Sequence, residues 1–544
     1  MRLGWLGITA ILCALLMTLP ILTIVSYVWH GNGELWRHLL NTVLSEYIVN
    51  SLLLMLGVAV GVLLLGVPTA WLTSMCEFPG RNLLSWALLL PMAVPAYIIA
   101  YTYTGLLDFA GPVQTGLRDI TGLSYGQYWF FEIRSLGGAI VMLSLVLYPY
   151  VYLLSRASFL EQSSNILEVG RTLGYSPWKG LLHLSLPLAR PAIVAGLTLA
   201  LMETLADYGT VEYFGINTFT TGIFRTFYGF GNVAAAAQLA TVLLGFVVLL
   251  ILLERYSRRQ IRYYSMVEYR AGEKRIVLGG LARVLALVWC LTPLLLGFAL
   301  PALQLTYWAL FEAQDLDIVF VQLMWNSFSL AMMAAILVTL LALLLAYSHR
   351  LCPQPARAAV TLAGMGYALP GTIIAIGVII PLAWLDHQLI DWAEHWLGLE
   401  LSLIFSGSLV ALLFAYSVRF LAVALGSVKP SLSKIKPSLD HVGHSLGYNR
   451  LAVLRHIHLP LMRSSILTAA LIVFVDVLKE LPATLILRPF DFNTMAVRAY
   501  ELAADERLID AAPPSLMIVL VGLAPVILLS RSIARGIPQH NPTV

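Results

Sequence analysis

The stretch at 168–187 reads EVGRTLGYSPWKGLLHLSLP, and the chain returns to it at 441–460 as HVGHSLGYNRLAVLRHIHLP. The two align without a gap at an offset of 273 (447 − 174, 460 − 187). Each holds V-G-x-[ST]-L-G-Y and ends in Leu-Pro. Gly174 and Gly447 fall where a short helix would end, because glycine tolerates the left-handed backbone of a helix C-terminus. Ser176-Pro177 and Asn449 follow two residues later; Ser and Asn are favoured N-caps and Pro suits the first helical position. The pattern predicts helix, turn, second helix, with Pro187 and Pro460 at the entry to the next apolar run. A polar loop of one layout used twice, once per half of the chain, suggests a docking surface used twice.

The rest of the sequence sets these loops in a membrane. Of 544 residues, 59% are hydrophobic and 11% charged, with a mean hydropathy of +0.83, which excludes a soluble domain. Apolar runs long enough to span a bilayer lie at roughly 3–28, 48–75, 83–107, 135–157, 188–210 and 233–253, then 277–310, 326–348, 358–385, 402–426, 461–486 and 513–530. The first is expected to be a retained helix, since no small-residue cleavage region follows it. Lys and Arg set orientation. The 254–275 segment holds Arg255, Arg258, Arg259, Arg262, Arg270, Lys274 and Arg275 against Glu254, Glu268 and Glu273, whereas 312–322 and 386–400 hold acidic residues and no Lys or Arg. That places the linker, both termini and both repeated loops in the cytoplasm. Cys13, Cys76, Cys290 and Cys352 have neither metal nor redox spacing and read as buried hydrophobes.

The repeat extends beyond the loops. Asn50-Ser51 matches Asn326-Ser327, and MAVPAYIIA (92–100) matches YALPGTIIA (367–375). Glu203 and Asp207 stand opposite Asp476 and Glu480, and Arg225 opposite Arg498, all at 273. The chain therefore reads as a tandem duplication with parallel repeats. Each carboxylate pair is spaced i, i+4 on one helix face. Counted from Pro187, Glu203 lies about 24 Å and Asp207 about 30 Å along the helix, in the outer part of the membrane. Charge at that depth faces the bundle interior or water. The four are candidates for an anionic mouth of a translocation pathway; the alternative is helix–helix pairing, with Lys479 a partner for Asp476.

His441, His444, His456 and His458 lack a carboxylate or Cys to complete a metal set, and are expected to be the polar face of the docking loop. No G-x4-G-K-[ST], nucleophile elbow or H-E-x-x-H occurs, so the chain should not hydrolyse ATP itself. Neither a cofactor nor nucleic-acid binding is expected.

The repeated stretch resembles the cytoplasmic loop of ABC importer permeases, E-A-A-x3-G-x9-I-x-L-P. Glu168, Gly174, Leu184, Leu186 and Pro187 fit it, with Val169 and Gly170 in place of the two Ala. The second copy keeps Gly447, Ile457, Leu459 and Pro460 but has His441 where Glu is expected, with Asp440 one residue early. ETLADYGTVEYFG (203–215), TFTTGIFRTF (218–227) and FVDVLKELPATLILRPFDFNTMAVRAYELA (474–503) resemble the fused permeases of ferric-iron ABC importers. The resemblance implies an all-α membrane protein of about 12 helices, arranged as two parallel six-helix repeats of the type I permease fold. It also implies a bacterial inner-membrane, multi-pass location, two copies of a cytoplasmic ATPase, a periplasmic binding protein delivering Fe³⁺, and contact with membrane lipid. The docking residues it implies are Glu168, Gly170, Gly174 and Pro187 in loop 163–187, and His441, Gly443, Gly447 and Pro460 in loop 436–460.

The expected organisation is a first repeat at 1–253, a basic linker at 254–276, a second repeat at 277–535 and a cytoplasmic tail at 536–544. The expected function is substrate translocation driven by a separate ATPase subunit. Thiamine, polyamine and phosphonate are alternative cargoes, and a gradient-driven secondary transporter is the alternative class. The duplicated loop separates the two classes, because a secondary transporter has no ATPase to dock.

Overall fold

The computed structural model describes residues 5–27, 29, 33–124, 127–258, 275–313, 318–364 and 366–535. Most of the basic linker, Asp315, Asp317 and the tail at 536–544 lie outside the described residues. Among the described residues the chain is helical but for one two-residue parallel pairing, Cys76 with Ile276 and Glu77 with Val277. Ten helices among the described residues are long and apolar enough to cross a membrane. An eleventh span is broken, Arg81–Ala93 and Ala96–Thr121 meeting at 91°. The apolar helix segment Ala512–Leu528 is shorter. All twelve apolar runs of the sequence thus correspond to helices, and their counts in the two halves match.

The helices form two compact units, and neither is one sequence repeat. One unit comprises 1–40, 222–244 and 316–498; the other comprises 41–221, 245–315 and 499–544. Each repeat therefore contributes its first span to the unit built on the other repeat. In the first unit the Trp5–Ser26 helix packs on Pro353–Ala363 and Gly371–Leu397. Gly377 makes this possible, since a Cβ there would meet the Pro20 carbonyl oxygen at 2.5 Å. In the second unit the span Gly280–Glu312 uses Gly297 in the same way, against the carbonyl of Leu145 and the ring of Pro91.

Small residues set the close packing within each unit, as expected where lipid supplies no hydrophobic drive between helices. The Leu44–Met75 helix lies on the Leu136–Thr172 helix through Gly57, Gly61 and Gly66, whose absent side chains leave room for Ile140, Ser144, and Val151 with the Tyr148 carbonyl. Gly196 on the Leu186–Ala206 helix approaches the backbone of Tyr150 and Val151.

Proline leaves a second signature. Pro187, Pro301 and Pro460 each follow a five-residue π-helical turn, at Leu181–Ser185, Leu295–Ala299 and Leu454–His458. A proline inside a helix has no N–H to give and its ring presses on the carbonyl four residues back. Widening the preceding turn to an i→i−5 bond, as between Leu186 N–H and Leu181 O or Leu459 N–H and Leu454 O, relieves that conflict without ending the helix. The two repeated loops therefore pass into their membrane spans as continuous helices, where the sequence predicted only an entry point at the proline.

Candidate functional site

The second loop shows its construction in full. A short helix, Pro437–Ser445, ends in a Schellman turn: Tyr448 N–H donates to Gly443 O at 3.0 Å and Gly447 N–H to His444 O at 3.0 Å. Gly447 sits at φ +84°, as its position in the motif predicts. Asn449 caps the next helix, its side chain accepting from Ala452 N–H at 2.8 Å. The two arms meet at Gly443, which is buried; a Cβ there would lie 2.9 Å from Val453 Cγ2 and 3.0 Å from Ile457 Cδ1. Gly443 thus serves close packing and Gly447 serves the turn.

An ion cluster fixes this loop to its unit. Arg350, at the end of the Ile318–Leu351 helix, donates from Nε to Asp440 Oδ2 at 2.9 Å and from Nη2 to Asp440 Oδ1 at 3.1 Å. The same guanidinium reaches the carbonyls of Leu432 at 2.7 Å and Ile435 at 3.0 Å, closing the end of the Leu409–Lys434 helix. Buried His458 bonds through Nε2 to Asp440 Oδ1 at 2.7 Å. Burial by itself would raise the Asp440 carboxyl, but the hydrogen bonds from Arg350 and His458 hold it below the usual carboxylate range. The acidic residue that stood one position early in the sequence is thus the anchor of the loop. His441 and His444 stay exposed, and among the described residues no group of three His, Cys, Asp or Glu is placed to hold a metal.

The first loop has the same turn on a different stem. Gly174 has φ +71°. Its leading helix is not separate: Leu136–Thr172 runs unbroken for 37 residues. Pro437 interrupts the equivalent path in the second copy, whereas Ser164 stands there in the first. Glu168 and Gly170 ride on this helix, and beyond the backbone they lie outside the described residues. Pro187 and Pro460 are exposed on the first turn of their spans. At the turn, large apolar side chains face outward in both copies: Leu173 and Tyr175 are 56% and 37% exposed, Leu446 and Tyr448 69% and 41%. The same two apolar side chains are thus exposed at one register in both copies.

The four carboxylates have unequal surroundings. Asp207 ends the Leu186–Ala206 helix and caps the Gly209–Tyr213 helix: Oδ1 accepts from Thr210 N–H at 3.1 Å and Val211 N–H at 3.2 Å, and Oδ2 from Thr210 Oγ1 at 2.9 Å. Glu480 does the same for Pro482–Leu487, accepting from Ala483 N–H and Thr484 N–H at 3.0 Å each and from Thr484 Oγ1 at 2.7 Å. Each thus takes the N–H groups at i+3 and i+4, where a helix N-terminus favours negative charge. Glu480 also pairs with Arg419 Nη1 at 3.2 Å, and Gly371 leaves the space that pair occupies. Asp476 pairs with Lys479 at 2.9 Å. Glu203 is half-buried, and no hydrogen bond or ion pair of the described residues holds it. The Glu203–Asp207 and Asp476–Glu480 pairs belong to different compact units.

One expected correspondence shifts. Asn50 Nδ2 donates to Asn217 O at 2.9 Å and Asn326 Nδ2 to Asn493 O at 3.3 Å. The repeats are therefore offset by 276 after the capped helices, not 273, because the second copy holds three more residues between its Glu480 and Asn493. Arg225 then stands opposite Glu501, and Arg498 opposite Gly222. Sequence reasoning also passed over Arg419 and Arg350. Arg419 is the lone charge in the apolar run 409–428, a signal that intramembrane charge needs a partner.

Comparison with known proteins agrees with this architecture. Residues 62–262 match the family described as binding-protein-dependent transport system inner membrane component. The Fe(3+)-transport system permease protein FbpB 2 of Haemophilus influenzae is 26% identical over 97% of this chain and 98% of its own length. The molybdenum transport system permease protein ModB of Escherichia coli K12 is 24% identical over 36% of this chain and 84% of its own. The putative 2-aminoethylphosphonate transport system permease protein PhnU of Salmonella choleraesuis is 27% identical over 39% of this chain and 75% of its own. These two relatives match a little over a third of this chain. With its many apolar spans, its paired loops and a match along nearly its whole length, the chain is similar to the multi-pass inner-membrane permease subunits of binding-protein-dependent transport systems.

Proposed function

We propose that this permease carries ferric iron, delivered by a periplasmic binding protein, and that loops 163–187 and 436–460 dock two copies of a cytoplasmic ATPase. The observation that supports the cargo is the match to an Fe(3+) permease along nearly the whole chain, against matches of about a third of the chain for the molybdenum and phosphonate permeases. The docking role is supported by the exposed Leu173–Tyr175 and Leu446–Tyr448 patches on loops of one design. Gly174, Gly443 and Gly447 shape the docking surface, and Glu168, Gly170, Pro187, His441 and Pro460 border it. Both termini and both loops are cytoplasmic in this reading, which follows from the basic linker. In this reading the repeats at 1–253 and 277–535 are the unit of duplication, on the support of the matching loops in the two halves.

The pathway role falls chiefly on Glu203. Asp207 and Glu480 are occupied as helix caps and Asp476 by Lys479, so Glu203 has the most freedom to meet a passing cation. Uptake of labelled Fe³⁺, thiamine, polyamine, phosphonate and molybdate in cells with and without the gene tests the cargo. Loss of Fe³⁺ uptake alone is expected; unchanged Fe³⁺ uptake with loss of another cargo refutes it.

A further inference from the structure

The two repeats differ most where the first one gathers phenols. In the unit that contains most of the first repeat, Tyr97 and Tyr101 lie one helical turn apart, about 6 Å, on the Ala96–Leu107 helix. The ring of Tyr101 stands edge-on to that of Tyr213, centroids 6.5 Å apart. Tyr208 and Tyr500 lie with ring centroids 5.9 Å apart and share a hydrogen bond, with Glu212 and Asp207 within electrostatic reach of Tyr500. At the rim, the Arg134 guanidinium is 5.2 Å from the Tyr213 ring centroid, yet it is held by Glu506 at 2.7 and 2.8 Å and by Asp108 at 3.6 Å. Two carboxylates to one guanidinium leave that rim net negative.

At the equivalent places the second repeat has Thr372 for Tyr97, Ile376 for Tyr101, Leu481 for Tyr208, Leu485 for Glu212 and Ile486 for Tyr213. Tyr500 has Phe224 as its counterpart at the offset of 276. The second repeat's own buried phenol, Tyr416, stands on a different helix, Leu409–Lys434, and is committed to Thr484 Oγ1 at 2.7 Å. The Tyr101 hydroxyl is a further cost: the residue is 1% exposed and its oxygen has no hydrogen-bond partner among the described residues. Buried phenols ordinarily find one. A phenol oxygen that is buried without a described partner calls for one.

We propose that the tyrosines of the first repeat form a transient binding station for the cargo, in which phenol oxygens of Tyr101 and Tyr213 ligate a hard trivalent cation with Glu212 nearby. Small, highly charged cations prefer oxygen donors, and tyrosine oxygen is an established ligand of iron. Each phenol that binds releases its proton to water. Tyr101 and Tyr97 stand one turn apart on the Ala96–Leu107 helix, away from the Asp108–Arg134–Glu506 rim, with Tyr213 facing Tyr101 from the Gly209–Tyr213 helix, which gives the ion a direction. The station makes the pathway asymmetric, with ligands supplied by one repeat only. It rests on the ferric-iron reading above.

The test uses the full chain in lipid nanodiscs, titrated with ferric nitrilotriacetate, and iron uptake by the complete transporter in vesicles. Phenolate bound to Fe³⁺ gives a visible charge-transfer band, so the parental chain should develop one. Tyr101→Phe with Tyr213→Phe should abolish it and slow uptake several-fold at unchanged membrane level. Tyr103→Phe should keep the band, since that hydroxyl is committed to the Leu296 carbonyl at 2.7 Å. A band that survives the double substitution overturns the assignment. So does a parental transporter that imports iron with no band. A parental transporter that neither forms the band nor imports iron overturns both this station and the ferric-iron reading.

Discussion

The two glycines of the second loop should fail in different ways when substituted. Gly447 has φ +84° and nothing within 4 Å of a built Cβ, so only the backbone resists a side chain. Placing Ala in the left-handed region costs about 1–2 kcal/mol, while Asn visits that region more readily. Gly443 has ordinary backbone angles but a Cβ would press on Val453 at 2.9 Å and Ile457 at 3.0 Å. Overpacking of that kind costs about 1–3 kcal/mol, and Asn, being larger, is worse than Ala. The tolerance order is thus Gly, Asn, Ala, Val at 447 and Gly, Ala, Asn, Val at 443. Both costs fall on the local stability of the loop, read by hydrogen exchange at the amides of Gly447 and Tyr448, which close the Schellman turn. A loss of about 1–2 kcal/mol raises exchange by about 5–30-fold. If Asn is no better than Val at 447, or if Ala at 443 leaves exchange unchanged, the division of labour between the two glycines is wrong.

Other outcomes follow from the same geometry. Because the Asp440 carboxyl is depressed in the fold, it stabilises the loop above its unfolded value of about 3.9 and loses that contribution as pH falls through the lower folded value; Asp440→Asn should remove this acid dependence of loop exchange without altering the rest. Glu480→Gln should lower the amount of folded protein in the membrane, since it leaves Arg419, 13% exposed, without its carboxylate, and breaking a buried pair costs about 3–5 kcal/mol. Asp207→Asn should be tolerated by the same measure, because Asn is a good cap and Val146 stands where the second repeat has Arg419; equal losses in the two variants would contradict this. Glu203→Gln should slow iron uptake with membrane level unchanged, and an unchanged rate would remove Glu203 from the pathway.

Much of this architecture is written in the sequence because membrane spans announce themselves by hydropathy. All twelve runs became helices, and the left-handed turns at Gly174 and Gly447 follow from the motif alone. Hydropathy says which segments enter lipid but not which neighbours they choose. That is why the exchange of first spans between the compact units was not legible: it depends on close approaches such as Gly377 to the Pro20 carbonyl, between residues far apart in the chain. The carboxylates show the same limit. Their i, i+4 spacing was visible, but the helix ends at Asp207 and turns, so the side chain caps the next helix. Within one helix that spacing would have put it on a face.

Transport in a reconstituted system bears most directly on how this permease is driven. Proteoliposomes holding the full chain, with and without the nucleotide-binding subunit, would be charged with the binding protein and labelled Fe³⁺. Uptake should appear only when the ATPase subunit and ATP are both present, and Gly174→Glu with Gly447→Glu should abolish it by displacing that subunit. Iron uptake by the chain alone, whether with ATP or on an imposed ion gradient, would contradict the account.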